Sequence, residues 1–236
     1  MTQYNLLKLK KIWMLCFIGV FSCVATWAKA AVPQEKPTVF YFGLQSAADF
    51  ESKVKPLFNE RTRGRGCEIV NHTPYTTDGQ VDIPALKAKL ESLSGQMGFI
   101  YFDFNLKVNE STQELVALLN KKTEGGMVVV GSAGVPSKAE ASGPLSRTIL
   151  GQTQGALIIG ELGERDRLVP MGFYGPEMLT AVRPPKDLIG QGYAPLIFAA
   201  ALAQNWNKKS GENWVEHFRQ KKQKSRKIWL DLGDLF

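Results

Sequence analysis

Short apolar runs alternate with amphipathic stretches along the middle of the chain. The runs are TVFYFGL, CEIVNHT, GFIYFDFNL, MVVVGSAG and GALIIGEL. Their length, their β-branched and aromatic residues and the turn-forming residues around them predict buried strands. A shorter piece, MLTAVRP, predicts one more extended segment.

The stretches between these runs have the apolar spacing of helices. SAADFESKVKPLF predicts a helix that ends at Pro56, and DIPALKAKLESLSG predicts one from Asp82 to a stop at Gly95. NESTQELVALLNKKTEGG predicts a third helix, capped by Asn109 or Ser111, and APLIFAAALA a buried one. Strands that alternate with helices predict an α/β fold with three layers, α/β/α, around a mostly parallel, doubly wound sheet.

The two ends of the chain differ from this pattern. A head with three lysines, a short apolar run and the small residues of A-K-A at 28–30 predict a secretory signal peptide cleaved after Ala30. The predicted product is periplasmic or secreted. The predicted organisation is therefore a signal peptide over 1–30, a linker over 31–37, an α/β domain over 38–210 and a C-terminal basic helix with an amphipathic tail over 211–236.

Charge and composition narrow the function classes. The formal net charge is +7, but the first 30 residues hold four lysines and no acidic residue, which leaves +3 for the remainder. So mild an excess does not predict nucleic-acid binding, and the basic segment RQKKQKSRK predicts at most weak contact with a membrane or an acidic partner. Cleavage leaves Cys67 alone, so no intramolecular disulfide is expected; two histidines without ligand spacing predict no metal and no cofactor.

Few side chains combine in a way that indicates catalysis. Cys67 and His72 are an odd number of residues apart on one predicted strand, which places them on opposite faces. Asp103 and Asn105 follow the third strand, where a carboxylate most often caps or forms an ion pair. The sequence GSAG around Ser132 lacks the G-x-S-x-G spacing of hydrolases, and ELGERDR predicts a solvated turn.

An ordered series of short motifs resembles the C-terminal half of the subtilisin-like serine peptidases. SAGV stands for the A-G-N loop of that family, GFYGP for S-N-Y-G-P, RPPKDLIG for the A-P-G segment, and GQGYAP for the G-T-S box at the head of a buried helix. FDFNL resembles the strand that ends in N-x-S-L-G, with Asn105 and Leu106 in register. The similarity covers residues 98–206 and implies a subtilisin-like fold.

The departures from the family pattern affect the catalytic positions. The nucleophilic serine of the family falls on Gly192, its threonine neighbour on Gln191, the oxyanion asparagine on Val135 and the aspartate of the first strand on Tyr41. No H-G-T-H-x-A-G helix is present in the sequence. A triad needs its nucleophile, its base and its oxyanion donors together, so the resemblance implies a domain without peptidase activity.

Three functions are consistent with the sequence. The first is an exported, catalytically inactive subtilisin-like domain that binds a protein or peptide, and its expected binding residues are Asn105, Gly131, Ser132, Gly134, Val135, Gln191, Gly192 and Tyr193. The second is an α/β enzyme of another mechanism that uses Asp103, Ser132 or His72. The third is a periplasmic domain that binds a small polar ligand at the carboxyl edge of the sheet.

Overall fold

The central sheet of the protein has six strands, all parallel. The computed structural model describes residues 36–63, 66–76, 81–93, 98–134, 143–169, 172–206, 211–224 and 232–236. The sheet strands are β1 (Thr38–Phe42), β2 (Glu68–Asn71), β3 (Gly98–Phe102), β4 (Val128–Ser132), β6 (Leu157–Glu161) and β8 (Met178–Val182); a second, two-stranded sheet pairs β5 (Gly143–Pro144) with β7 (Phe173–Tyr174). The six strands lie in the order β2-β1-β3-β4-β6-β8. The segment MLTAVRP thus supplies an edge strand.

Helices connect the strands. They are α1 (Ala47–Asp49), a π-helical turn (Phe50–Val54), α2 (Lys55–Thr62), α3 (Ile83–Ser92), α4 (Gln113–Glu124), α5 (Ile149–Gln152), α6 (Ala194–Asn205), α7 (Gly211–Lys224) and α8 (Leu232–Leu235); 3-10 turns cover Leu145–Arg147, Glu164–Asp166 and Lys186–Leu188. None of the helices in the described ranges is long and apolar enough to cross a membrane. The predicted signal peptide lies outside these ranges.

Both faces of the sheet are buried, by different helices. Residues at alternate positions of the strands, such as Tyr41 and Tyr101, point to the first face, which α2, α6 and α7 cover. Their neighbours, such as Phe42 and Phe102, point to the second face, which α3 and α4 cover. This alternation follows from the two-residue period of a strand, and it confirms the predicted three-layer, doubly wound α/β fold.

Two helix boundaries differ from their predictions. The first helix does not end at Pro56: this residue lies in the first turn of α2, where its missing N–H is tolerated, and the helix continues to Thr62. Thr112, not Asn109 or Ser111, precedes α4. The Asn109 side chain instead accepts hydrogen bonds from the N–H groups of Ser111 (3.0 Å) and Thr112 (3.1 Å) in the preceding turn.

The predicted start of α3 is confirmed. Asp82 is its N-cap, and the carboxylate accepts a hydrogen bond of 3.0 Å from the Ala85 N–H. The helix ends at Ser92, and Gly95 lies outside the described residues.

The C-terminal segment packs against the α/β core. The side chains of Trp214 and Phe218, on α7, are 1% and 0% exposed, which confirms the prediction of a helix face packed on the core. The ring of Phe218 lies 5.4 Å from those of Phe198 and Phe236. Lys222 donates a hydrogen bond to the Met178 carbonyl on the edge strand β8, so part of the basic segment is held against the domain.

Candidate functional site

The strand order creates a crevice at the carboxyl ends of β1 and β3. From β1 the chain passes to β2 on one side and then crosses to β3 on the other side. At such a switch point the connections leave in opposite directions, and the gap between them is where open α/β sheets bind ligands. The residues that end these two strands are therefore the first to consider.

Tyr41 and Asp103 form a hydrogen-bonded pair in this crevice. The Tyr41 hydroxyl donates to Asp103 Oδ2, and the Leu44 N–H donates to Oδ1 at 2.8 Å. The tyrosine reaches the carboxylate by passing over Gly43, where an added Cβ would overlap the tyrosine ring. The loop after β1 is held by Thr73, whose hydroxyl accepts the Gly43 N–H at 2.7 Å, and by Tyr75, which donates to the Gln45 carbonyl.

A small cavity opens beside this pair. It has a volume of about 50 Å³ and is bounded by β1, β3, the π-helical turn and the start of α6. Its lining is Tyr41, Leu44, Gln45, Val54, Tyr101, Asp103, Gln191, Gly192, Tyr193 and Leu196. Five of the residues singled out from the sequence thus meet in one place: Tyr41, Asp103, Gln191, Gly192 and Tyr193.

The electrostatics of the cavity are dominated by Asp103. Burial raises the pKa of this carboxyl to about 6, and the hydrogen bonds from Tyr41 and the Leu44 N–H oppose the rise. Burial also raises the pKa of both Tyr41 and Tyr101, with a further contribution from the charge of Asp103. At neutral pH the cavity therefore holds one carboxylate among neutral phenols.

The turn before α6 that contains Gly190 and Gly192, here called the glycine turn, is hydrogen-bonded to a carboxylate of the protein itself. Glu161, at the end of β6, is fully buried and accepts hydrogen bonds from the N–H groups of Gly190 and Gly192, the second at 3.0 Å. Burial raises the pKa of Glu161, while N–H groups of Gly190, Ala194 and Gly192 act in the opposite direction. The expectation of a solvated turn at ELGERDR is thus wrong for Glu161, because the backbone donors of the turn compensate for its burial.

This arrangement occupies the donors that a helix N-terminus would offer to an external anion. Gly190 and Gly192 both have positive φ, +82° and +79°, and this conformation turns their N–H groups inward. A substrate oxyanion at this turn would have to displace Glu161.

The other predicted site residues that the structure describes lie outside the lining of the cavity. Ser132 is buried and its hydroxyl bonds within its own turn, with the Gly134 carbonyl at 3.0 Å and the Gly134 N–H at 3.1 Å. Gly131 packs against Leu150, and Asn105 Oδ1 accepts the Leu150 N–H at 3.3 Å. Val135 lies outside the described residues.

The groups considered for another catalytic mechanism are not connected. Among the hydrogen bonds of the described residues, none joins Asp103, Ser132 and His72. The His72 ring lies 5.6 Å from Phe40, and burial lowers its pKa. Cys67 Sγ is 3.4 Å from the Ala203 carbonyl, to which it donates. Within the described ranges, no three His, Cys, Asp or Glu side chains could hold a metal ion.

Sequence reasoning missed three residues that shape the site. Tyr101 lines the cavity, Glu161 fixes the glycine turn, and Leu44 lies at the rim with half of its side chain exposed. The signal for Glu161 was present, since a carboxylate that directly ends an apolar parallel strand lies at the edge where sites form. Tyr101 carried no comparable signal, because a tyrosine inside an apolar strand is usually part of the core.

Comparison with known proteins found similarity at the level of structure and none at the level of sequence families. No family model and no curated protein matches the chain. Among solved structures, a cold-adapted subtilisin-like serine proteinase is similar, with a TM-score of 0.49 and 12% sequence identity. The match covers 62% of this chain and 56% of that proteinase, so the chain spans about half of its length.

Proposed function

We propose that this protein is an exported, catalytically inactive α/β domain that binds a protein or peptide at the carboxyl edge of its sheet. The observation that supports this most directly is the bond between Glu161 and the glycine turn. In the motif resemblance, Gly192 stands where that family has its nucleophilic serine. The N–H group of Gly192 already donates a hydrogen bond to the buried carboxylate of Glu161. The turn is therefore a structural element and not an oxyanion site.

The composition of the cavity agrees with the absence of catalysis. Among the residues that the structure describes, its lining contains no serine, cysteine, lysine or histidine. Asp103 is the only carboxylate among these described lining residues, and a single carboxylate without a nucleophile does not make a hydrolytic site. The Tyr41 hydroxyl donates to that carboxylate, but burial raises the pKa of Tyr41, which opposes formation of a phenolate.

The size of the cavity favours a macromolecular partner. Sites for small metabolites usually measure about 300–1,000 Å³, whereas this cavity has about 50 Å³. Such a volume accepts the end of one side chain. The exposed Leu44 at the rim, with 50% of its surface accessible, adds an apolar contact of the kind that anchors peptides.

A peptide-display experiment tests the proposal. The purified protein is immobilised and used to select from a random peptide library, and enriched peptides are measured by isothermal titration. We expect Leu44→Ser to weaken these peptides about tenfold, since a small polar side chain would replace the apolar rim contact. Leu168→Ser is the matched control, because Leu168 is also exposed but does not line the cavity.

The same protein preparation tests the proposed lack of serine peptidase activity. It is incubated with a fluorophosphonate probe and, separately, with casein, and neither labelling nor cleavage is expected. The proposal fails on the binding side if no peptide is enriched, or if Leu44→Ser binds the selected peptides as well as the parent does. Labelling of any serine with turnover of casein would contradict the inactive assignment.

A further inference from the structure

The cavity at the switch point contains an uncompensated carboxylate. The pKa of Asp103 responds to burial, to the Tyr41 hydroxyl and to the Leu44 N–H, and no basic side chain of the described residues contributes. Lys53, which lies near Tyr193, is paired at 2.6 Å with Asp49 on the surface. Partial burial of a carboxylate without a neighbouring cation costs desolvation free energy, and a bound cationic ligand would offset that cost.

Tyr101 brings a second polar group to the cavity. Its side chain is 1% exposed and lines the cavity, and the lone pairs of its hydroxyl can accept a hydrogen bond from a bound donor. The Tyr101 ring lies 5.7 Å from that of Tyr41.

From these two groups and the shape around them, we infer that the cavity binds the ammonium group of a lysine side chain from the peptide partner. An ammonium carries three N–H donors, and Asp103 and Tyr101 provide acceptors for them. The rings of Tyr41, Tyr101 and Tyr193 suit an organic cation, because aromatic faces attract positive charge. The inference rests on the proposed function, whose partner it describes.

The geometry favours lysine over other cations. One carboxylate and one phenol are too few ligands for Ca²⁺ or Mg²⁺, which take six or more oxygens. A guanidinium is a broad planar fork, whereas an ammonium is compact enough for about 50 Å³. The apolar stem of lysine would lie against Leu44 and Leu196, which also line the cavity.

Three acetylated tripeptides test the inference on the full-length protein by NMR titration at pH 7.5. They are Ac-Gly-Lys-Gly-NH2, its arginine analogue and its norleucine analogue, which keeps the stem without the charge. We expect the lysine peptide to bind about tenfold more tightly than the norleucine peptide, as a charge-assisted hydrogen bond provides. Equal affinity of the norleucine or the arginine peptide would overturn the assignment to lysine.

Two variants identify the residues. Asp103→Asn keeps the shape of the side chain but removes its charge, so the preference for the lysine peptide should disappear. The control is Asp187→Asn, which removes one charge at an exposed position outside the lining and should preserve that preference. Tyr101→Phe should weaken the lysine peptide roughly threefold and leave the affinity of the norleucine peptide unchanged, because it removes one acceptor for the ammonium group. Retention of the lysine preference in Asp103→Asn, or an unchanged affinity in Tyr101→Phe, contradicts the inference.

The outcomes separate this inference from the proposed function. Peptides enriched from the library without a preference for lysine would overturn the inference and leave peptide binding intact. If the tripeptides show the lysine preference but the library yields nothing, the ammonium site stands and peptide recognition fails. A norleucine peptide with a free α-amine that binds as well as the lysine peptide would place the α-amine in the cavity and overturn the choice of lysine.

Discussion

At the scale of single residues, Asp103 links stability to pH in the direction opposite to that of a salt-bridged carboxylate. Its pKa is about 6 in the folded protein and about 3.8 when unperturbed, so between these values the folded state holds a proton that the unfolded state releases. Stability from this group is therefore greatest in acid and declines as pH rises from about 4 to 6. Burial raises the pKa of Tyr41 and of Tyr101, which face it, so these two phenols stay neutral in this range.

The corresponding prediction concerns Asp103→Asn. The difference in unfolding free energy between the variant and the parent should shift in favour of the variant from pH 4 to pH 7, by at most about 3 kcal/mol. Urea denaturation at pH 4, 5, 6 and 7 measures this difference, with Asp187→Asn as the exposed control. A difference that stays constant with pH would show that the carboxyl is not perturbed by folding.

Glu161 provides a second prediction for a single residue. Glu161→Gln replaces a carboxylate that receives at least two backbone N–H donors by an amide with one acceptor and two donors of its own. The free energy of unfolding should fall by about 1–3 kcal/mol in urea denaturation. Glu164→Gln, an exposed change three residues further along the chain, should alter it by less than about 0.5 kcal/mol, and equal effects would refute the structural role of Glu161.

Gly192→Ser tests the catalytic interpretation of the turn. An added Cβ at Gly192 meets no atom within 4 Å, but φ is +79°, so the cost should be about 1–2 kcal/mol of strain. We expect no hydrolysis of casein and no fluorophosphonate labelling at position 192, because no histidine in the described part of the chain lines the cavity to act as a base. Turnover by this variant would mean that the protein retains an active base near the turn.

At the scale of elements, the patterns that were predicted correctly are local ones. The apolar runs identify every strand of the main sheet, and Asp82 identifies the start of α3, because strand burial and capping depend on neighbouring residues. The continuation of the helix through Pro56 depends on a π-helical turn that no periodicity indicates. Patterns of residues therefore locate elements better than they locate boundaries.

The site was predicted only in part, for a related reason. Tyr41, Gln191, Gly192 and Tyr193 were singled out one by one from the family resemblance, and their meeting with Asp103 depends on the order of the strands. The role of Glu161 required knowing that β6 ends beneath the turn before α6. Such contacts join residues about 30–60 positions apart, and one sequence does not contain that information.

The helix α7 illustrates how an element that was predicted as a separate segment contributes to the core. Phe218→Ala would remove a fully buried ring between α6 and α8 and should lower the free energy of unfolding by about 3–5 kcal/mol. Gln220→Ala, on the exposed side of the same helix, should change it by less than about 0.5 kcal/mol. A small effect of Phe218→Ala in urea denaturation would show that α7 is only loosely attached.

At the scale of the whole molecule, one sheet joins two apolar cores. The first face is closed by α2, α6 and α7, and the second by α3 and α4, yet every strand of the centre contributes to both. The cavity lies at the edge of the first face, where Tyr41 donates a hydrogen bond to Asp103 and Tyr101 contributes to the lining. The binding edge is therefore supported by strands that are fixed from both sides, which restricts its motion.

This architecture predicts that the two cores unfold together. Trp206 and Trp214 belong to the first face, so once Trp13, Trp27 and Trp229 are replaced by phenylalanine, tryptophan fluorescence reports on that side, whereas far-ultraviolet circular dichroism reports on all helices and strands. Leu86→Ala, on the second face, should lower the free energy of unfolding by about 2–5 kcal/mol and shift both signals to the same urea midpoint. A circular dichroism transition that moves while the fluorescence midpoint stays would show that the two faces unfold separately, and would contradict a single cooperative unit.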